Sequence, residues 1–153
     1  MDADRLIVWD AELRAAHSRL RKALAVTQEA VAAGDDAPDA ASDLLLYCTG
    51  FCAALDGHHR SEDAALFPAL VAEHPQLAPV VEKLVQDHSM LSHLLGALRT
   101  ALDRRDGAAE ITSHLDGIGA IMESHFRYEE RQILEPLRSL RLTGDPADAL
   151  GPL

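Results

Sequence analysis

Apolar residues recur along most of the chain at intervals of three and four, the spacing that gathers them on one face of an α-helix. Leu6, Leu13, Leu20 and Leu24 mark the first such stripe, which predicts a helix from about Asp4 to Ala33. Gly34-Asp35-Asp36-Ala37-Pro38 supplies its stop signal. Tyr47, Phe51, Leu55 and Leu66 mark a second helix, starting at Asp39 or Ser42 as N-cap and ending near Pro68. After a loop at His74-Pro75, Val81, Leu84, Leu91, Leu95, Leu98 and Leu102 predict a third from about Gln76 to Asp103. Asp103-Arg104-Arg105-Asp106-Gly107 reads as a polar turn. Ile111, Ile118, Ile121, Met122 and Ile133 then predict a fourth helix from about Ala108 to Leu140. Residues 143–153 carry few apolar side chains and are expected to form a loosely ordered tail beyond a domain spanning 1–142. Four amphipathic helices with short connections imply an all-α, antiparallel up-down four-helix bundle.

The stripes are interrupted by residues that do not belong in an oily core. His17 lies between Leu13 and Leu20, and His88 between Leu84 and Leu91. His58 and Glu62 continue the second stripe, His125 and Glu129 the fourth. The last four open near-copies of one phrase, His58-His59-Arg60-Ser61-Glu62-Asp63-Ala64-Ala65-Leu66-Phe67 and His125-Phe126-Arg127-Tyr128-Glu129-Glu130-Arg131-Gln132-Ile133-Leu134. At a spacing of four, an imidazole and a carboxylate share one helix face and can hold one metal ion together. A carboxylate on a core face is costly unless its charge is compensated, and no Lys or Arg occupies these stripes. Metal cations would compensate it. His17, His58, Glu62, His88, His125 and Glu129 are therefore candidate metal ligands, forming two metal sites or one shared two-metal site.

The remaining histidines separate from this set by position. His93 follows His88 by five residues, about 140° further round the helix, and reads as rim or surface. His74 precedes Pro75 in a loop. His114 shares a face with His125 but lies about 16 Å away along the axis. His59 competes with His58, being three residues before Glu62 and four before Asp63; Phe126 at the equivalent place of the second phrase favours His58. Tyr128 either edges the site and donates a hydrogen bond or packs between helices. Trp9 is expected to pack the bundle end.

Composition narrows the function classes. The 153 residues fit one domain, and 48% hydrophobic residues with only 4% aromatics favour helices built on Ala and Leu. The formal charge of -11 excludes nucleic acid and anionic membrane as natural partners. No apolar run approaches the roughly 20 residues needed to span a bilayer. Cys48 and Cys52, four apart on a helix, read as small buried hydrophobes rather than a disulfide. Low cysteine use and an acidic start, Met1-Asp2-Ala3-Asp4, without signal-peptide features point to the cytoplasm. Imidazole and carboxylate donors without thiolate suit iron or manganese better than structural zinc.

The ordered combination of His17, His58-His59-x-x-Glu62-Asp63-x-x-Leu66-Phe67-Pro68, His88 and His125-Phe126-x-x-Glu129-Glu130 resembles the hemerythrin-like, or HHE cation-binding, family, from about His17 to Leu137. The resemblance implies an up-down four-helix bundle holding two iron ions, as in myohemerythrin. Oxygen-carrying members have His-x-x-x-His on the third helix and an Asp as second carboxylate. Here Ser92 follows His88 by four, and Glu129 is the second carboxylate. The four-His, two-Glu set is similar instead to bacterial hemerythrin-like proteins and to the di-iron domain of iron–sulfur repair proteins; the latter usually carry an N-terminal Cys-bearing segment, which these residues lack.

With Glu62 and Glu129 bridging, each metal would receive two imidazoles and two carboxylate oxygens. Positions would remain for solvent, a bridging oxo or hydroxo group, or a small molecule. Three function classes follow. The first is a redox protein that binds and processes hydrogen peroxide, O2 or NO, with catalase-like or NO-processing activity. The second is a module sensing or storing iron, oxygen or NO, including an iron–sulfur repair role. The third is a metal-free helical interaction protein. No phosphate loop or nucleophile motif is present, and the oligomeric state is left open.

Overall fold

A computed structural model describes residues 7–33 and 40–151, without the side chains of residues 40–46. All regular structure among them is helical. α1 spans Trp9–Ala33 and α2 Ala40–Ser61. A π-helical turn, Glu62–Leu66, carries the chain into α3, Phe67–Glu73. A 3-10 turn, Pro75–Leu77, precedes α4, Ala78–Asp103; α5 spans Ala108–Leu137 and α6 Pro146–Leu150. The expected start at Asp4, the stop signal at Gly34–Pro38 and the cap at Asp39 lie outside the described residues. No described helix is long and apolar enough to cross a membrane.

The second helix departs most from expectation. Pro68 does not end it. Proline lacks an N–H, and its ring would clash with the carbonyl of residue 64 in a continued α-helix. The backbone widens by one π turn, in which the Phe67 N–H reaches the Glu62 carbonyl, and Pro68 then occupies the first turn of α3. The buried stripe of α2 is also rotated from the predicted one. Tyr47 is 45% exposed, and the free, buried Cys48 and Cys52 take the core side with Phe51 and Leu55.

α1 packs against α2 and α5, and α4 against α5 and α2. Their buried residues form two apolar clusters. One holds Leu20 and Leu24 of α1, Cys48 to Leu55 of α2, Leu91 to Leu98 of α4, and Ile111 to Phe126 of α5. The other holds Trp9 and Leu13 of α1, Leu66 to Leu70 after α2, Leu84 of α4, and Ile133 and Leu137 of α5. The boundary between them falls at His17, His58, His88 and His125 in sequence on every long helix. The polar residues thus form a layer with apolar packing on both sides.

The tail differs from the loosely ordered segment expected. Asp145 caps α6 by accepting from the Ala147 N–H at 3.0 Å. Ala149 and Leu150 are buried in the second cluster. The Trp9 indole N–H donates to the Leu142 carbonyl at 3.0 Å, which fastens the segment leading into α6. Two well-placed apolar side chains and these two bonds between side chain and backbone suffice where a count of apolar residues suggested too little.

Candidate metal centre

Seven polar side chains occupy the layer, and all are nearly inaccessible: His17, Glu62 and Glu129 at 0%, His58 at 1%, His125 at 3%, His59 at 4% and His88 at 5% exposure. They fall into two groups, each with donor atoms within 4.8 Å of one another. One is His17, His58, Glu62 and Glu129; the other is His59, Glu62, His88 and His125. Glu62 belongs to both. All six residues singled out from the sequence are brought together, and His59 joins them. His58 and His59 are therefore not alternatives. Adjacent residues on a helix point about 100° apart, and α2 sends one ring to each group.

The distances are those of converging donors. His58 Nε2 lies 3.2 Å from a Glu62 oxygen, and His125 Nε2 lies 3.1 Å from Glu129 Oε2. His88 Nε2 is 3.4 Å from Glu62 Oε1 and 3.1 Å from His125 Nε2. His17 Nε2 is 3.7 Å from Glu129 Oε1. The Nε2 atoms of His17, His58 and His59 and both oxygens of each glutamate have no hydrogen-bond partner despite burial. Buried polar atoms without partners cost roughly 1–3 kcal/mol each, and more when charged. Lone pairs that face one another without an intervening proton fit a cation, and nitrogen and oxygen donors fit iron or manganese. Cys48 and Cys52 pack in the first apolar cluster, outside both groups.

The opposite ring edges are held from outside. His17 Nδ1 lies 3.1 Å from Glu130, His88 Nδ1 2.8 Å from Asp63, and His125 Nδ1 3.1 Å from Asp87. His58 Nδ1 lies 2.7 Å from the Leu150 carbonyl oxygen. An acceptor at Nδ1 fixes the tautomer with its proton there and leaves Nε2 as the metal-facing lone pair. Sequence reasoning gave these partners no role, although two follow a pattern. Asp63 and Glu130 each directly follow the glutamate of a phrase, and each backs a histidine on another helix. The Leu150 carbonyl is backbone and leaves no sequence signal.

Electrostatics agree with this division. Burial pushes His58 down to about 4. Burial, reinforced by the rings of His88, His58 and His125, holds His59 well below the usual imidazole range. Both are neutral and carry a free lone pair near neutral pH. His17 is raised: burial opposes its charge, but Glu129 and Glu130 outweigh burial. Burial and the facing Glu129 raise Glu62 strongly. Burial opposes ionisation of Glu129 too, yet Glu62, His125 and His17 pull it well down. The two carboxyls are thus driven in opposite directions, and a bound cation would favour ionisation of both.

The other residues considered lie outside the groups. His93 and Ser92 are exposed; His74 and His114 are half-buried. His74 instead contacts Ser139 at 3.3 Å. Tyr128 packs in the second cluster, with the Lys83 ammonium 4.4 Å from its ring centre. A cleft of about 210 Å³ between α4 and α5, lined in part by Asp87, Met90, Ser124 and Tyr128, reaches His125. His17 is sandwiched by Phe126, with ring centroids 3.8 Å apart.

The family model described as the hemerythrin HHE cation binding domain matches residues 10–137. No curated protein and no solved structure matches the chain.

Proposed function

Since this chain belongs to the hemerythrin HHE cation-binding domain family, we propose that it holds two iron ions and uses them to bind and process small oxidants, hydrogen peroxide foremost. The fold in this reading is an antiparallel up-down four-helix bundle. Its support is the order of the two apolar clusters, which alternates between successive long helices. His17 and His58 would hold one ion and His59, His88 and His125 the other, with Glu62 common to both groups and Glu129 facing His17 and His125. The observation that carries the reading is the pair of four-residue donor groups sharing Glu62.

Bound iron would supply two adjacent redox centres with positions left for a small molecule. The chain's own contribution is to hold the rings. Outer acceptors keep the Nδ1 protons on His17, His58, His88 and His125, so every Nε2 stays available. Apolar clusters shield the layer on both sides, and the cleft between α4 and α5 gives an approach at His125. The two groups offer four residues each, two imidazoles in one and three in the other, so bound ions would leave positions for a small ligand. Peroxide disproportionation needs no further reductant: one molecule is reduced to water while another is oxidised to O2.

A second reading, reversible O2 binding, is favoured by one observation. Ser92 supplies no fifth imidazole, but His59 does, so the count is five rather than the four expected. The two readings separate in one experiment. Protein loaded with iron under anaerobic conditions is assayed for metal, exposed to O2, and then given peroxide. Two irons per chain and O2 evolution support the leading reading. A visible band that forms with O2 and disappears on its removal, with peroxide inert, supports the second. A chain that takes up no iron refutes both.

A further inference from the structure

Three of the four outer acceptors on the rings are carboxylates, and the fourth is a backbone carbonyl at the end of α6. His58 Nδ1 and the Leu150 oxygen are 2.7 Å apart and buried. The contact is built into the following residue. Gly151 has φ 89° and ψ 167°, a conformation open in practice to glycine alone. A Cβ placed on it would lie 3.0 Å from both the N and the Cα of His58. Those are backbone atoms and cannot swing aside. Only glycine lets the chain pass close enough for the preceding carbonyl to meet the ring. The Gly151 N–H closes α6 by donating to the Ala147 carbonyl at 2.8 Å, so the Leu150 carbonyl is aimed by a short helix whose other end is capped by Asp145.

α6 packs on α2, on the π turn and on α1. Those elements carry His58, Glu62 and His17; α2 also carries His59, but the Leu150 carbonyl meets the ring of His58. No contact of comparable extent joins α6 to α4 or α5, which carry His88 and His125.

We propose that Leu150 and Gly151 are positioning residues for one metal of the pair: they hold the His58 ring, and through it the His17, His58, Glu62 and Glu129 group, while the His59, His88 and His125 side binds its ion without them. This rests on the reading that each group holds an ion. It makes the two sites unequal in origin. One is fixed within the long helices, and the other is completed only when residues 146–151 have docked.

The test uses cobalt(II) alone as probe on the full chain, followed by visible absorption, with Gly151→Val as the variant. The unmodified chain should take up two ions. The variant should bind one as before and the other about 10–100-fold more weakly, the usual loss when an outer partner of a ligating histidine is removed. Adding His58→Ala to Gly151→Val should remove the weakened ion and leave the other in place, whereas adding His88→Ala should weaken that other ion as well. Histidine nitrogen NMR of the metal-free chain supplies a readout that general destabilisation would not move: His58 should change from the Nδ1–H tautomer towards Nε2–H, with His17 and His88 unchanged. If Gly151→Val does not fold, Gly151→Ala is measured in the same way. Equal weakening of both ions, unchanged binding of both, or a retained His58 tautomer would overturn the proposal. If the unmodified chain binds no pair, the two-metal reading fails, and the tautomer measurement still decides whether α6 positions His58.

Discussion

The rings of His59 and His88 stack with centroids 3.9 Å apart and planes 11° from parallel. His59 also meets His125 edge-on at 5.2 Å. It is therefore surrounded by the two histidines with which it forms the second donor group.

The first prediction follows from that position. His59→Ala should lower iron content from two ions towards about one per chain, as should His58→Ala, because each removes an imidazole from a different group. Metal analysis of the two variants decides it. If His59→Ala retains two ions, the ring is packing and not a ligand.

The second prediction concerns Ser92. Oxygen-carrying members have a histidine at the place Ser92 occupies here. Ser92 is exposed, one turn beyond the buried His88, so the new ring of Ser92→His would enter solvent. Metal content and visible spectrum should match those of the unmodified chain. A changed spectrum would mean that α4 is rotated from the orientation described.

Asp63 supplies the third. Its carboxylate accepts from His88 Nδ1 at 2.8 Å. Asp63→Ala should weaken metal retention about 10–100-fold, and Asp63→Asn, which keeps an acceptor oxygen, should do less harm. Competition with a chelator reads both. Equal behaviour of the two variants would show that the side chain matters for bulk rather than for its hydrogen bond.

The fourth concerns acid and the metal-free protein. His58 has its pKa lowered by burial to about 4 from 6.5. Between those values the unfolded chain takes up a proton that the folded chain refuses. Stability from this residue is thus intact above 6.5 and lost as pH falls towards 4. Glu62 works in the opposite direction. Its raised pKa stabilises the fold below about 4.5 and that contribution is lost as pH rises. Comparing melting temperatures of the parent and His58→Gln isolates the first effect: the variant should lose less on acidification from 6.5 to 4. An equally steep fall in both would remove His58 as the cause.

The helices and the polar layer were legible because both follow from one periodicity. A histidine that replaces a leucine in a stripe must point where the leucine would. The pairing of His58 with His59 was not legible from the same rule. It treats a helix as having one inner face, whereas α2 meets α1 on one side and α4 on another, so two adjacent residues can both be inside. The π turn hid for a related reason. Pro68 signalled a break, but whether the chain stops or widens depends on apolar residues beyond it, and Phe67 and Leu70 keep α3 anchored in the core. The docking of α6 depends on a backbone carbonyl and on one glycine, which no stripe records.

The π turn also limits what the likeness between the two phrases means. Read as text, 58–67 and 125–134 suggest an internal duplication whose halves could be exchanged. The ends of each are nine positions apart, but the first includes a stretch that winds more slowly than an α-helix, so equal counting gives unequal rotation. Phe67 and Leu134 stand at matching places in the phrase, yet Phe67 is buried and Leu134 only partly so. The two phrases share their chemistry as far as Asp63 and Glu130, the carboxylates after each glutamate, and then part in geometry. Grafting 125–134 over 58–67 would preserve His-x-x-x-Glu, replace the ring of His59 by phenyl, and turn everything after the graft away from its packing partners. An apparent symmetry of the sequence is thus a one-way relation in three dimensions, and an alignment of the two phrases is valid only up to Asp63.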